Sequence, residues 1–357
     1  MITIKDIAKE SGYSLATVSR VLNGSGRVSD KARANIMAVV DKYNFRLNEN
    51  AKFLKQQSSR CIAIILKGMQ NMLFASITKR LQSGIEGNEY ESVLVYLDED
   101  DDEVRCAHRL CRERKPEGIL FLGCNLELFR EEFEGISVPC VLVTIGGSDL
   151  GFENISSVTT DDCEAADHIV SRLIEMGHRR IGIIGGHPKY SAASHYRYEG
   201  ALRAFDRNGI QFDPYIQYQV GHFSLEDGYS AAAKLIRNMP DVTAVFAMSD
   251  IAAIGAMRAA ADRGIRIPED LSIVGFDGIE MVDYINPRLT TIRQNREEIA
   301  ARSVSILISM IKGECSARHE IVPFTMISGN SVRNINTDPD IPESERKNGG
   351  NNIQECS

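Results

Sequence analysis

From residue 61 onward, short apolar runs alternate with helical stretches, and this alternation constrains the fold more than any other feature. The apolar runs are Cys61–Leu66, Val93–Leu97, Ile119–Leu122, Cys140–Thr144, Ile181–Ile184, Ala244–Ala247 and Ser272–Phe276. Helical patterns fill most of the gaps, at 75–87, 104–114, 163–176, 196–208, 225–238 and 251–263. Runs that are apolar throughout predict strands buried on both faces, which means parallel sheets built from βαβ units. About 270 residues of this pattern suit two doubly wound α/β subdomains better than one sheet. The expected halves are 61–160 with 293–319, and 161–290 with 320–335. The chain would cross between them near Thr159–Asp162 and again at Pro287–Gln294, with the helix Arg296–Ile311 returning to the first half.

The first 46 residues follow another rule. Thr3 can cap a helix with Ile4, Ile7 and Ala8 on one face, ending near Gly12. Ser14 can cap a second, Leu15–Asn23, with Val18, Val21 and Leu22 turned inward, which Gly24 and Gly26 stop. Ser29 can cap a third carrying Ile36, Val39, Val40 and Tyr43. Two short helices joined by a tight turn and followed by a third form an all-α helix-turn-helix head. A polar connector over 47–60 holds one short helical candidate, Asn48–Lys55. The stretch 336–357 is polar and rich in Pro, Gly and Asn, and disorder is expected there.

Net charge is −8 for the chain, but residues 1–60 carry 11 Lys and Arg against 5 Asp and Glu, a local +6 that leaves −14 for the remainder. A basic head on an acidic body points to phosphate contact by the head alone. On the second helix, Leu15, Ala16, Thr17 and Ser19 would face the major groove of double-stranded DNA, with the Thr17 and Ser19 hydroxyls and the helix starts at Thr3 and Ser14 as phosphate contacts. Arg20 can donate a bidentate pair to guanine, and Asn23 closes the helix. On an isolated helix Arg20 reads first as a solvated charge, and it is the surrounding helix-turn-helix pattern that favours the base contact. The start of the chain lacks a basic segment followed by an apolar run, and no stretch approaches membrane-span length. Eight cysteines, none in a C-x-x-C pair and most within apolar runs, fit free thiols in a reducing cytoplasm. Cys106, His108 and Cys111 lack zinc-ligand spacing, so neither a metal nor a cofactor is assigned.

The segment TIKDIAKESGYSLATVSRVLNGSGRVSDKARANI resembles the DNA-binding head of the LacI/GalR (lactose-repressor-type) regulators. The likeness lies in I-K-D-I-A, A-T-V-S-R-V-L-N and R-V-S. NENAKFLKQQ is similar to that family's hinge helix. The resemblance implies that Leu54 wedges into a central minor-groove step, with Lys55 beside it. It departs from the family where Leu47 replaces the usual Pro and Lys52 the usual Arg. A helix of eight residues is too short to be stable alone in water, so ordering on DNA beside a partner copy is expected. That geometry requires a homodimer on a palindromic site.

From Cys61 to about Arg333 the resemblance extends to the family's effector domain, which is similar to periplasmic sugar-binding proteins. It implies a small-molecule effector, a sugar or sugar derivative, held in the cleft between the halves. The matching positions are Asn71, Phe74, Arg197, Phe223, Asp250, Asp277 and Gln294. Acidic acceptors, a planar donor and an aromatic face suit hydroxyls. Plainer readings stand beside these: Asp250 as a helix cap, Asp277 as a turn former, Arg197 paired with Glu199, and His187 and His195 as ordinary loop residues. Asp98–Glu103 reads as a solvated strand-end loop. No catalytic residue is assigned, since G-x-S-x-G, a P-loop and spaced metal ligands are all missing. The expected protein is a ligand-responsive transcription regulator. The rivals are a solute-binding protein, an α/β enzyme, and a DNA-binding head on a body blind to ligands.

Overall fold

A computed structural model describes residues 4–14, 17–18, 21, 28–43, 60–68, 71–98 and 101–337. The chain divides into two compact units, Met1–Ser59 and Arg60–Ser357. Of the DNA-contact candidates, Thr3, Leu15, Ala16, Ser19, Arg20, Asn23, Leu54 and Lys55 lie outside the described residues, as does the helix expected over 48–55.

In the small unit, helices α1 (Ile4–Ser11) and α2 (Asp30–Lys42) flank a helical segment containing Thr17, Val18 and Val21. Gly12 ends α1 with a left-handed φ of 74°, a conformation that costs glycine nothing. Ile7, Val18, Val21, Ile36 and Val40 form the buried core, with Ala8, Tyr13, Val28 and Val39 packed around it. Tyr43, expected on the same face as Ile36, is exposed instead, with Lys42 Nζ 5.0 Å from its ring centre.

The large unit holds two six-stranded sheets. The first contains β1 (Cys61–Lys67), β2 (Glu91–Leu97), β3 (Gly118–Leu122), β4 (Cys140–Val143), β5 (Ile155–Thr159) and β11 (His319–Ile321), in spatial order β11-β5-β4-β3-β1-β2. The second contains β6 (Ile181–Gly185), β7 (Tyr218–Val220), β8 (Ala244–Ala247), β9 (Ser272–Asp277), β10 (Thr290–Gln294) and β12 (Phe324–Ile327), in order β12-β10-β9-β8-β6-β7. All pairings are parallel except β10 with β12. Alternate residues of each strand enter different cores. Ile62, Ile64 and Leu120 pack under α3 (Met72–Glu86) and α11 (Arg296–Ile311), while Ala63, Ile65, Ile119 and Phe121 meet α4 (Glu103–Glu113) and α5 (Leu126–Glu132). The second sheet is clothed likewise by α6 (Asp162–Glu175) and α7 (Ala192–Arg207) on one face and α9 (Leu225–Asn238) and α10 (Asp250–Ala261) on the other; α8 (Pro214–Gln217) is a single turn.

The halves are divided a little differently from the sequence reading. Arg293 and Gln294 belong to β10 and hence to the second sheet, because Arg293 registers with Asp277. His319–Ile321 extends the first sheet on β5, and the chain returns only at Phe324. Arg60, assigned to the connector, joins the body: its carbonyl accepts Glu91 N at 2.8 Å. Asn336 and Thr337, assigned to the tail, form a short 3-10 turn with Ile335, and Asn336 Nδ2 donates to the Glu175 carbonyl at 2.8 Å. The tail from 338 lies outside the described residues.

Candidate functional site

A cavity of about 530 Å³ opens between the two sheets, at the carboxyl ends of their strands. Its walls include Lys67 at the end of β1, Thr144 just beyond β4, Asp277 at the end of β9 and Gln294 at the end of β10. Gly123, beyond β3, holds φ at 76°, and a Cβ there would fall 2.4 Å from the Lys67 carbonyl oxygen. Thr144 and Asp277 lie at the ends of topologically equivalent strands and both hold positive φ, 72° and 115°. Such backbone in residues other than glycine costs about 1–3 kcal/mol and persists only where the surroundings enforce it.

Six of the seven ligand candidates line this cavity: Asn71, Phe74, Arg197, Phe223, Asp277 and Gln294. Asn71 caps α3, its Oδ1 accepting Leu73 N at 2.9 Å, and its amide also helps hold the Asp277 carboxyl charged. Arg197 lies over Phe276, its Cζ 3.7 Å from the ring centre. Its Nε donates to Asp162 Oδ1 at 2.8 Å, Nη1 to the Met248 carbonyl at 2.5 Å, and Nη2 lies 3.5 Å from Asp277 Oδ1. It does not pair with Glu199, which sits 3.5 Å from His195 on the surface. Gln294 Nε2 donates to Asp277 Oδ1 at 2.9 Å. Burial pushes the Asp277 carboxyl up to about 6, partly offset by Arg197 and Gln294. Burial also raises Asp162, again against the pull of Arg197.

Asp250 is the exception, and its assignment to the ligand is corrected here. It is fully buried away from the cavity, accepting Ile279 N at 2.8 Å and bonded to Thr291 Oγ1 at 2.5 Å. Ser249 caps α10, its Oγ accepting Ala252 N, so the Asp250 side chain is released to reach over Gly275 and pin the turn after β9. Burial beside Asp277 pushes its carboxyl far above the usual range, favouring the protonated form. Asp98 is exposed as expected, but Glu103 is only 1% exposed. It pairs with Lys67 Nζ at 2.9 Å and accepts Asn125 N at 2.5 Å.

Wall residues of the first half such as Lys67, Asn125 and Thr144 escaped the sequence reading, whereas His187, read there as an ordinary loop residue, lines the wall from the second half together with Tyr190. One signal was available: each strand end in a parallel sheet of this kind faces the ligand side, and Lys67, Thr144 and His187 lie at or just after predicted strands.

In the small unit, Ser14 Oγ accepts Thr17 N at 3.2 Å and lies 2.9 Å from Thr17 Oγ1, which makes Ser14 a helix cap. Ser29 Oγ accepts Ala32 N at 3.4 Å in the same role for α2.

Residues 3–48 match the bacterial regulatory proteins of the lacI family, and residues 170–332 match the periplasmic binding protein-like domain. The HTH-type transcriptional regulator MalR of Clostridium butyricum is 33% identical over 343 residues, covering 94% of this chain and 100% of that one. The chain belongs to the LacI family. The ribose operon repressor of Haemophilus influenzae is 31% identical, over 87% of this chain and 92% of its own. Among solved structures, the transcriptional regulator CelR–cellobiose complex is 26% identical with a TM-score of 0.67, covering 93% and 100% of the two chains. The Lac repressor dimer bound to operator and the anti-inducer ONPF, 24% identical with a TM-score of 0.69 over 93% and 99%, shares the fold. Like its LacI-family relatives, the chain is a DNA-binding transcription regulator with a helix-turn-helix head and a periplasmic-binding-protein-like body.

Proposed function

We propose that this chain is a cytoplasmic repressor that binds a palindromic operator as a homodimer and releases it when a sugar or sugar derivative fills the body cavity. The head, 1–46, enters the major groove with Leu15, Ala16, Thr17, Ser19 and Arg20, Arg20 reading a guanine and Thr17 and Ser19 holding phosphates, while the connector around Leu54 and Lys55 meets the minor groove. The chain acts by binding and not by turnover. The cellobiose held by the CelR structure supports a saccharide effector.

The arrangement around Arg197 carries this reading. Asp162 begins the helix after the first crossing between sheets, and Gln294 ends the strand before the second. Arg197 holds Asp162 and faces Asp277, which Gln294 also bonds. A hydroxyl that accepts from Arg197 or donates to Asp277 therefore acts on both crossings at once. Its binding energy biases the angle between the halves, and that angle sets the spacing of the two heads in a dimer.

The test is to select a duplex from a random pool with the full-length protein, then titrate it with and without saccharides. The expected outcome is about a 100-fold loss of operator affinity with the matching sugar, equivalent to ~3 kcal/mol of differential binding. Affinity should also fall steeply with salt. Sugar that tightens the complex would make the ligand a corepressor. Indifference to every small molecule would leave the body a dimerisation module alone.

A further inference from the structure

The cavity floor is polar and buried, but its outer rim on the second half is not. Tyr190 is 62% exposed and Val220 57% exposed, although both line the cavity. Tyr190 sits in a tight turn, its N–H and that of Ser191 donating to the His187 carbonyl at 2.9 and 3.0 Å. The His187 ring lies 4.9 Å from the Tyr190 ring, and Lys189 Nζ 5.4 Å from it. Val220 closes β7, where Gly221 N bonds the Gly185 carbonyl at 2.9 Å. The cavity lining thus includes an exposed aromatic ring and an exposed aliphatic side chain, with an imidazole and an ammonium beside the ring.

We propose that this rim is a second ring subsite and that the effector is a neutral oligosaccharide of at least two rings. This rests on the sugar reading above. The first ring lies against Arg197, Asp277 and Gln294, and the second lays its C–H face on Tyr190 and Val220. Volume is compatible: 530 Å³ corresponds to roughly 18 waters at ~30 Å³ each, more than the about 12 heavy atoms of one hexose would fill. Charge agrees as well. Of the described residues lining the cavity, the two permanent cations are already matched by buried carboxylates, Lys67 by Glu103 and Arg197 by Asp162 and Asp277. A phosphate or uronate on the floor would find no unmatched permanent cation there and would add charge beside Asp277, and the ammonium at the rim, Lys189, already lies over the Tyr190 ring.

Calorimetry on the full-length protein tests the proposal, with D-glucose, D-galactose, cellobiose, maltose and glucose 6-phosphate as probes. One disaccharide should bind at least about tenfold more tightly than its component monosaccharide. Tyr190→Ala and Val220→Asp, both at exposed positions, should each bring that ratio down toward one. Equal affinity for mono- and disaccharide overturns the subsite and leaves the sugar reading standing. So does an equal effect of the variants on both, or tighter binding of the phosphate ester than of glucose. No binding by any saccharide overturns the sugar reading and the subsite with it.

Discussion

The two halves of the body share a strand order yet meet the cavity with different chemistry. The first half offers helix caps and backbone: Asn71 and Asn125 spend their side-chain oxygens on helix N–H groups, and Lys67 is neutralised by Glu103. The second half offers a buried charged network, with Arg197 from the middle of a helix set between two carboxylates. The same topology thus yields a wall of helix caps on one side and a wall of buried, coupled charges on the other. Strand order fixes where a ligand sits; the residues at strand ends decide what it is and what it does.

Breaking each wall in turn probes this contrast. The largest effect is expected for Arg197→Met, which strands Asp162 and Asp277 without their cation. Loss of a buried partner costs about 3–5 kcal/mol, read by denaturant unfolding of the full chain, and the sugar response should vanish. Lys67→Met should cost less, because Lys67 keeps some access to water and Glu103 still accepts Asn125 N. Equal losses would erase the distinction between the walls.

A second experiment uses pH. The native Asp277 carboxyl titrates near pH 6 and the unfolded one near its ordinary 3.8. Between these values the native state keeps a proton that the unfolded chain has lost, so this group lowers stability as pH rises from about 4 to 6 and no further above. Asp277→Asn removes the titration. The variant's stability relative to the parent should therefore climb by up to about 3 kcal/mol over that window and then level off. A flat difference would mean that Asp277 is ionised throughout, and the second wall would be no more responsive than the first. The smallest effect sharpens the link between the halves. Asn71→Ala and Asn125→Ala each lose one helix cap, about 1 kcal/mol. Only Asn71→Ala should also move the Asp277 midpoint upward, observable by NMR titration, since Asn71 alone of the pair helps hold that carboxyl charged.

Much of the fold was legible because burial on both faces forces continuous apolar runs, as in Cys61–Leu66 or Ile119–Leu122. The strand Ile155–Thr159 escaped for the opposite reason. Its Ser156 and Ser157 are buried but satisfied by Arg318 N and by His319 and Gly147 N, partners more than 150 residues away in two of the three cases. No local pattern announces a polar strand whose hydrogen bonds are supplied from a distance. The site was legible at Arg197, Asp277 and Gln294 through family resemblance. Asp250 was misassigned because a carboxylate at a helix start just beyond a strand reads the same whether it faces a ligand or a neighbouring turn.

The sequence alone determined the periodicities, the caps and the segregation of charge, and with them a small helical head and a doubly wound body. These are local properties, set by which residues repeat on one face and which side chain can reach its own helix start. Only the tertiary structure decided that Arg197 would lie between Asp162 and Asp277, that Asp250 would turn from the cavity, and that Tyr190 and Val220 would share its rim. Each depends on strands and loops distant in sequence meeting at one place, where burial and charge act over a few ångströms with no regard to position along the chain.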